Sequence, residues 1–195
     1  TLSGSLSTAA TQASSVGSYT IDASALSNGN YLVTANNGTL TINKAHLTVT
    51  ANNAFKTYGD ANPVLGTTVS GFVNGETLAT SGVSGSGAAS TAANATTGAG
   101  SATITAAAGT LAASNYDFTN LVNGTLTINQ RPLTVTAEPK TKNYGDVNPA
   151  LSYSVAADGV GTSRGLVNGD TLSGSLSTAA TQASSVGSYT IDASA

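Results

Sequence analysis

The chain of 195 residues has no cysteine, methionine or tryptophan, only 3 phenylalanines, and 8% charged residues. Without cysteine there is no disulfide framework and no thiol chemistry. The charged fraction is far below the roughly 25% of an average soluble protein, so we expect a polar, largely uncharged surface. The 6 basic residues form no dense stripe, which argues against a nucleic-acid partner. No apolar run approaches the roughly 18 residues of a membrane span, so no membrane insertion is expected.

Serine, threonine, asparagine, glycine and alanine fill the place of the missing charges. A disordered chain usually combines high net charge with few strand-forming residues. Here the net charge is only −3, and valine, isoleucine, leucine and tyrosine alternate with threonine. These observations predict folded β domains. The joint absence of cysteine, methionine and tryptophan fits an exported bacterial protein, and we expect an extracellular location at the cell surface or in a secreted matrix.

The chain contains two nested repeats. Residues 171–195 are identical to residues 1–25, a shift of 170 positions, and a second repeat recurs at 86 positions. The chain therefore divides into 1–43, the C-terminal part of a preceding repeat, 44–129, a complete repeat, and 130–195, the N-terminal part of a following repeat. Such arrays bury a continuous core between neighbours, so the adjacent repeats are the expected partners. We predict that 1–43 completes the 130–170 segment of another copy.

Alternation at period two predicts the fold class. Leu47, Val49 and Ala51 alternate with threonines, and the same pattern returns 86 residues later. Each repeat is predicted to be a small antiparallel β domain of about five or six strands, as a β-sandwich or a β-grasp-like sheet. Because only a few residues separate the last strand of one repeat from the first of the next, the all-β domains are predicted to form a rod-like array.

Two local features carry more specific predictions. The strand with Tyr116 and Phe118 and the strand with Leu126 and Ile128 flank Asn123-Gly124. Asn-Gly favours tight hairpin turns, which need positive φ at both central residues, so these strands are predicted to form a closing hairpin. The same hairpin is predicted around Asn37-Gly38, between Tyr31 and Ile42. Residues 72–78 and 166–172 are predicted to form one short helical turn each.

Three motifs recur in the same order: Tyr-Gly-Asp, then Val-Asn-Gly with an acidic residue, then Gly-Thr-Leu-Thr-Ile. This order resembles the MBG/YDG-type tandem repeats of bacterial filamentous-haemagglutinin-like surface adhesins. The resemblance covers essentially the whole chain and implies an extracellular, mostly-β repeat of an adhesin or biofilm protein. The last repeat departs from the pattern by a short insertion within 156–165, predicted to enlarge a surface loop.

The recurring Tyr-Gly-Asp motif has two interpretations. As a structural motif it forms a turn, with aspartate capping, glycine taking an unusual φ and tyrosine packing beneath. As a metal site it offers oxygen ligands to calcium, but calcium needs six to eight oxygens and too few are nearby. We favour the turn, and expect no cofactor. The residues of the structural motif are Tyr58, Gly59, Asp60, Tyr144, Gly145 and Asp146. The weak calcium candidates are Asp60, Asn62, Asp146 and Asn148.

No catalytic group recurs with the repeat. His46 is the only histidine and its counterpart is Pro132, so no triad or acid–base pair is assembled twice. We therefore expect no enzyme activity. The leading interpretation is a stalk or spacer repeat that projects an adhesive tip from the cell. Two alternatives stay open, a multivalent weak module that binds carbohydrate or mucin, and a repeat that associates with neighbouring copies in a matrix fibre.

Overall fold

The computed structural model describes residues 1–193, and the described residues contain β-strands and no α-helix. The all-β prediction is therefore confirmed. The strands in chain order are β1 (Gly17–Ile21), β2 (Gly38–Ile42), β3 (Ala45–Ala51), β4 (Ala54–Thr57), β5 (Thr67–Ser70), β6 (Ala88–Ser90), β7 (Gly100–Ala107), β8 (Tyr116–Val122), β9 (Gly124–Asn129), β10 (Val135–Ala137), β11 (Tyr153–Val155), β12 (Ser177–Thr178) and β13 (Ile191–Asp192).

The chain forms two compact units. The first comprises Thr1–Ala54, Pro63–Ala92 and Ser101–Thr127, and the second comprises Phe55–Asn62, Ala93–Gly100 and the chain from Ile128 onward. In the first unit β1 and β2 pair antiparallel. In the second unit β10 pairs with β11 and β12 with β13, also antiparallel.

The complete repeat, 44–129, holds seven strands, β3 to β9, rather than five or six. They form a three-stranded sheet of order β5-β3-β8 and a four-stranded sheet of order β4-β9-β7-β6. The prediction of purely antiparallel pairing is wrong at one place, because β3 and β8 run parallel. Parallel neighbours need a long crossover connection, and here the intervening strands β4 to β7 supply it.

The core of the complete repeat follows the predicted alternation. Leu47 and Val49 on β3 are fully buried, and so are Ile104 on β7 and Leu126 on β9. Their threonine neighbours face outward, because successive side chains of a strand point to opposite faces. Period-two alternation therefore identified the buried face of β3 and of β9.

The predicted closing hairpin is wrong. β8 pairs with β3, whereas the next strand, β9, lies between β4 and β7 in the other sheet. Gly124 does not have positive φ. Instead the Asn123 side-chain oxygen accepts a hydrogen bond from the Ala106 amide at 3.0 Å. This bond holds the chain at the point where it leaves β8 in one sheet and enters β9 in the other. The same error applies at Asn37-Gly38, where the Asn37 side chain accepts the Ala23 amide at 3.0 Å.

A turn with positive φ at both central residues occurs at a different Asn-Gly pair, Asn74-Gly75. Asn74 and Gly75 have φ of 55° and 72°, and the Glu76 amide donates to the Val73 oxygen at 3.0 Å. Residues 168 and 169 repeat this geometry, with φ of 56° and 78°. The predicted helical turns at 72–78 and 166–172 are therefore tight β-turns, because two consecutive residues in the left-handed region cannot continue a right-handed helix.

No helix among residues 1–193 has the length and apolar character that crossing a membrane requires.

Candidate functional site at the Tyr-Gly-Asp turn

The Tyr-Gly-Asp motif of the complete repeat follows directly on β4. The chain reverses at Gly59, whose φ is +87°, and the Asp60 amide donates to the Thr57 oxygen at 3.0 Å. A glycine suits this position because it takes positive φ without the steric cost of a side chain. The sister turn has the same form, with φ of +89° at Gly145 and a 3.2 Å bond from the Asp146 amide to the Asn143 oxygen.

A lysine two residues before the tyrosine holds each turn. Lys56 is 6% exposed, and its Nζ atom donates to the backbone oxygens of Asp60 at 3.1 Å and Asn94 at 2.6 Å. Lys142 donates to the oxygens of Asp146 and Thr181 at the same distances. Sequence reasoning missed both lysines, although they stand 86 positions apart like the motif itself.

The asparagine after each motif joins the same loop. The Asn62 amide nitrogen donates to the Ala93 oxygen at 2.6 Å, and the Asn148 amide donates to the Ala180 oxygen at 2.7 Å. The lysine and the asparagine thus bind adjacent carbonyl groups of a distant loop. A buried ammonium group is tolerated here because it makes hydrogen bonds to carbonyl oxygens.

The Asp60 carboxylate is occupied by two arginines of the next repeat. Arg164 donates from both terminal nitrogens to the two carboxylate oxygens at 3.0 Å, a bidentate contact. Arg131 donates to Asp60 Oδ1 and to the Tyr58 backbone oxygen, both at 3.2 Å. The hydrogen bonds from Arg164 lower the pKa of Asp60 below its ordinary 3.8, with a smaller contribution from Arg131, and together they outweigh the opposing effect of desolvation.

The insertion within 156–165 supplies one of these arginines. Ser163 within it is 2% exposed and donates to the Ala156 oxygen at 2.8 Å. Arg131 Nε donates to the backbone oxygens of Arg164 and Gly165 at 2.8 and 3.0 Å. The insertion forms a loop without strand, exposed over 157–162, as predicted, and its last residues additionally make the buried serine and arginine contacts.

The two turns differ in their surroundings. A Cβ atom at Gly59 would lie 2.6 Å from Val167 Cγ2, whereas nothing lies within 4 Å of one at Gly145. Within residues 1–193 the Asp146 carboxylate accepts a single, local bond, from the Asn143 amide at 3.1 Å. The position equivalent to Arg131 in the complete repeat is Ala45. The boundary between 129 and 130 therefore has the arginine contact, whereas the boundary between 43 and 44 is followed by an alanine at the equivalent position.

The calcium candidates do not converge. The Asp60 carboxylate faces two arginines, and the Asn62 and Asn148 amides point their nitrogens at carbonyl groups. Within residues 1–193 no group of three or more histidine, aspartate or glutamate side chains could hold a metal ion. His46 instead lies 2.8 Å from Asp117 through Nδ1, at an exposed edge, and this hydrogen bond lowers the pKa of Asp117.

The tyrosines divide into buried and exposed. Tyr116 is 1% exposed, donates to Glu76 Oε2 at 2.5 Å and stacks edge-on against Phe72 at 5.8 Å. Tyr19 is half-buried and donates to the Ser15 oxygen at 2.8 Å. Tyr31 is 74% exposed. Tyr31 therefore packs in no core, because residues 31–37 belong to no extended strand that a core could cover.

Comparison with known protein families matches residues 1–41, 47–127 and 133–195 to the MBG domain (YGX type). Because these matches cover nearly the whole chain, the protein belongs to this family of tandem repeats. No curated protein and no solved structure matches the chain.

Proposed function

We propose that this chain is a stalk or spacer segment of a large bacterial cell-surface or biofilm adhesin, holding an adhesive tip away from the cell. The protein acts outside the cell in this proposal, and the repeats perform no catalysis. Its function is mechanical: each added repeat adds length, and the boundary between repeats resists bending. Membership in a family of tandem MBG repeats is consistent with an adhesin-type protein.

The observation that carries the proposal is the contact of Arg131 and Arg164 with Asp60. These residues lie within one compact unit, yet Asp60 belongs to the repeat 44–129 and both arginines to the repeat that follows. Arg131 has only 10% of its side chain exposed, and its planar guanidinium fits several acceptors at once. The bidentate contact of Arg164 and the single contact of the well-packed Arg131 together restrict the chain on either side of the boundary.

Neutral hydrogen bonds within the first unit also connect residues on the two sides of the boundary that precedes the complete repeat. β2 ends at Ile42 and β3 begins at Ala45, so only two residues separate them. The Val16 amide donates to the Asn115 side chain at 3.0 Å, and the Ala45 amide donates to the Asn115 backbone oxygen at 3.0 Å. Asn115 thus contacts residues on both sides of the repeat boundary, which supports restricted bending.

Small-angle scattering on arrays of increasing repeat number tests the proposal. We expect the longest dimension to rise linearly with repeat number, and electron micrographs to show extended particles. Arrays with Arg164→Ala should bend more, whereas arrays with Lys140→Ala, an exposed cation away from the boundary, should not. A maximum dimension that grows with the square root of repeat number is the behaviour of a flexible chain and contradicts a spacer. Saturable binding of the array to glycans would instead support the carbohydrate-binding alternative.

A further inference from the structure

Three Asn-x-Thr tripeptides, the acceptor pattern for N-linked sugars, occur in the sequence. They begin at Asn37, Asn94 and Asn123, and the middle residue is never proline. Asn37 and Asn123 are equivalent positions 86 residues apart, and their side-chain oxygens accept the amides of Ala23 and Ala106 at 3.0 Å. The threonines of these two tripeptides lie within β2 and β9. Both tripeptides therefore have a structural role, which the third one does not share.

Asn94 begins a four-residue turn that recurs at 11–14 and 181–184. The Asn94 amide donates to Thr97 Oγ1 at 2.9 Å, and the Thr97 amide donates to the Asn94 backbone oxygen at 3.2 Å. The turns 11–14 and 181–184 each have the same two bonds, at 2.8 and 3.1 Å. In both, threonine stands in place of Asn94 and alanine in place of Thr96. The turn therefore requires neither the asparagine nor the threonine of the acceptor tripeptide 94–96.

The backbone of this turn is held by three side chains. The side-chain nitrogens of Lys56, Asn62 and Asn168 donate to the backbone oxygens of the successive residues 93–95, at distances between 2.6 and 3.2 Å. Asn94 itself is exposed. Because the backbone is already ordered, an enzyme that binds this exposed segment restricts little further conformational freedom.

The side-chain nitrogen of Asn94 is not used by the fold. Asn94 Oδ1 accepts the Thr96 amide at 2.9 Å and the Thr96 hydroxyl at 2.8 Å, and these bonds fix the orientation of the carboxamide. Within residues 1–193 Asn94 Nδ2 donates no hydrogen bond. A transferase can therefore reach this nitrogen without breaking a hydrogen bond that it makes in the folded protein.

We propose that Asn94 is the acceptor of an N-linked sugar. The donor is a sugar whose anomeric carbon is bonded to a phosphate oxygen of a nucleotide or lipid carrier. Asn94 Nδ2 forms a bond to that carbon, the bond from the carbon to the phosphate oxygen breaks, and the phosphate leaves with the electron pair. A base of the transferase takes one proton from Nδ2. The sugar adds hydrophilic bulk to a chain with only 8% charged residues. This proposal goes beyond the spacer function and does not depend on it.

The first test is mass spectrometry of the protein isolated from the cells that produce it. Cleavage before aspartate separates Asn94 from Asn123, because Asp117 lies between them and gives the fragments 60–116 and 117–145. We expect the mass of fragment 60–116 to be raised by that of a sugar, located at Asn94 by fragmentation. Fragment 117–145 is the control and should have its unmodified mass. An unmodified Asn94, or equal modification of Asn94 and Asn123, overturns the proposal.

The second test uses variants that copy the equivalent turns and are produced in the same cells. Asn94→Thr and Thr96→Ala introduce the residues found at 181 and 183, so both should keep the fold, checked by circular dichroism, and lose the sugar completely. Thr97→Ser introduces the residue found at 184 and leaves the tripeptide intact, so it is the matched control and should keep the sugar. A sugar that persists on fragment 60–116 in Asn94→Thr, or on Asn94 in Thr96→Ala, overturns the proposal.

Discussion

The Nζ atom of Lys56 lies 2.6 Å from the backbone oxygen of Asn94, and Nζ of Lys142 lies 2.6 Å from that of Thr181. The two contacts are equivalent in successive repeats, although the loops that supply the oxygens differ in sequence. A lysine that binds backbone oxygens does not depend on the side chains of its partner loop. This geometry therefore survives sequence divergence between neighbouring repeats.

Replacing Lys56 by methionine should destabilise the protein by about 2 kcal/mol, the typical contribution of a charged hydrogen-bond donor to carbonyl partners. The measurement is the urea dependence of unfolding by circular dichroism. Lys142→Met is the matched control, and because Lys142 is more exposed than Lys56, we expect a smaller loss. Equal stability of Lys56→Met and the unchanged chain would contradict a holding role for the ammonium group.

The arginine contacts predict an acid-sensitive stability. Because the pKa of Asp60 is lowered from 3.8 in the folded protein, ionised Asp60 stabilises the fold above that value. This stabilisation is lost as the pH falls below 3.8 and through the lower folded pKa. In Asp60→Asn the melting temperature should be lower at neutral pH and should fall less between neutral and acid pH. Asp170→Asn, which removes an exposed carboxylate, serves as control, and parallel profiles for all three proteins would refute the prediction.

The buried hydroxyl of Tyr116 predicts an effect at high pH. The hydrogen bond to Glu76, and then burial, raise the pKa of Tyr116 above its ordinary 10.0. Neutral Tyr116 therefore stabilises the fold fully below 10.0, and the stabilisation is lost as the pH rises through the higher folded pKa.

Tyr116→Phe should cost about 1–2 kcal/mol at neutral pH, because Glu76 and the Val73 amide lose a partner, and should flatten the alkaline loss of stability. Thermal unfolding across pH measures both effects. Tyr31→Phe is the control, since that ring is 74% exposed and should change neither quantity. An unchanged alkaline profile in Tyr116→Phe would count against the prediction.

Calcium should not change the stability of the protein. The Asp60 carboxylate already binds two arginines, and Asn62 and Asn148 present nitrogens to their partners. We expect the same melting temperature in excess calcium and in excess chelator, measured by scanning calorimetry. A rise in melting temperature with calcium that disappears in Asp146→Asn would instead establish the metal-site interpretation.

Gly124 should tolerate no side chain, for a reason other than backbone conformation. A Cβ atom there would lie 2.4 Å from the Ala51 backbone oxygen. Gly124→Ala should therefore destabilise the protein by about 1–3 kcal/mol, as overpacking does. Gly98→Ala is the matched control, because nothing lies within 4 Å of its Cβ position and its φ is not positive. Similar melting temperatures for both variants would show that the strand β9 can move away from Ala51.

Local patterns in the sequence predicted the strands far better than their partners. Alternation at Leu47, Val49 and Ala51 correctly identified β3 and its buried face. In contrast, Asn123-Gly124 predicted a hairpin that the two sheets do not contain. The physical principle was sound, since Asn74-Gly75 does form a turn with positive φ. Which Asn-Gly pair turns the chain is decided by what its flanking strands pack against, and that information is not local.

The candidate site was predicted in outline only. The repeated Tyr-Gly-Asp motif marked the position of the turn, and the 86-residue shift also contained the signal for Lys56 and Lys142. No pattern predicted that Arg164 meets Asp60, because the two residues are 104 positions apart and only one repeat carries the insertion. A contact of this kind depends on the path of the whole intervening chain.

The sequence by itself determined the repeat period, the all-β class, the buried face of the main strands and the family. These properties follow from local chemistry and from the recurrence of residues: side chains alternate along a strand, and the repeat period can be read directly from the identical stretches. Only the tertiary structure decided that β8 pairs parallel to β3, that β9 enters the other sheet, and that Asp60 binds arginines from the next repeat. Backbone hydrogen bonds between strands depend little on the identity of the side chains. Which strands pair is therefore decided by the packing of side chains that lie far apart in the sequence.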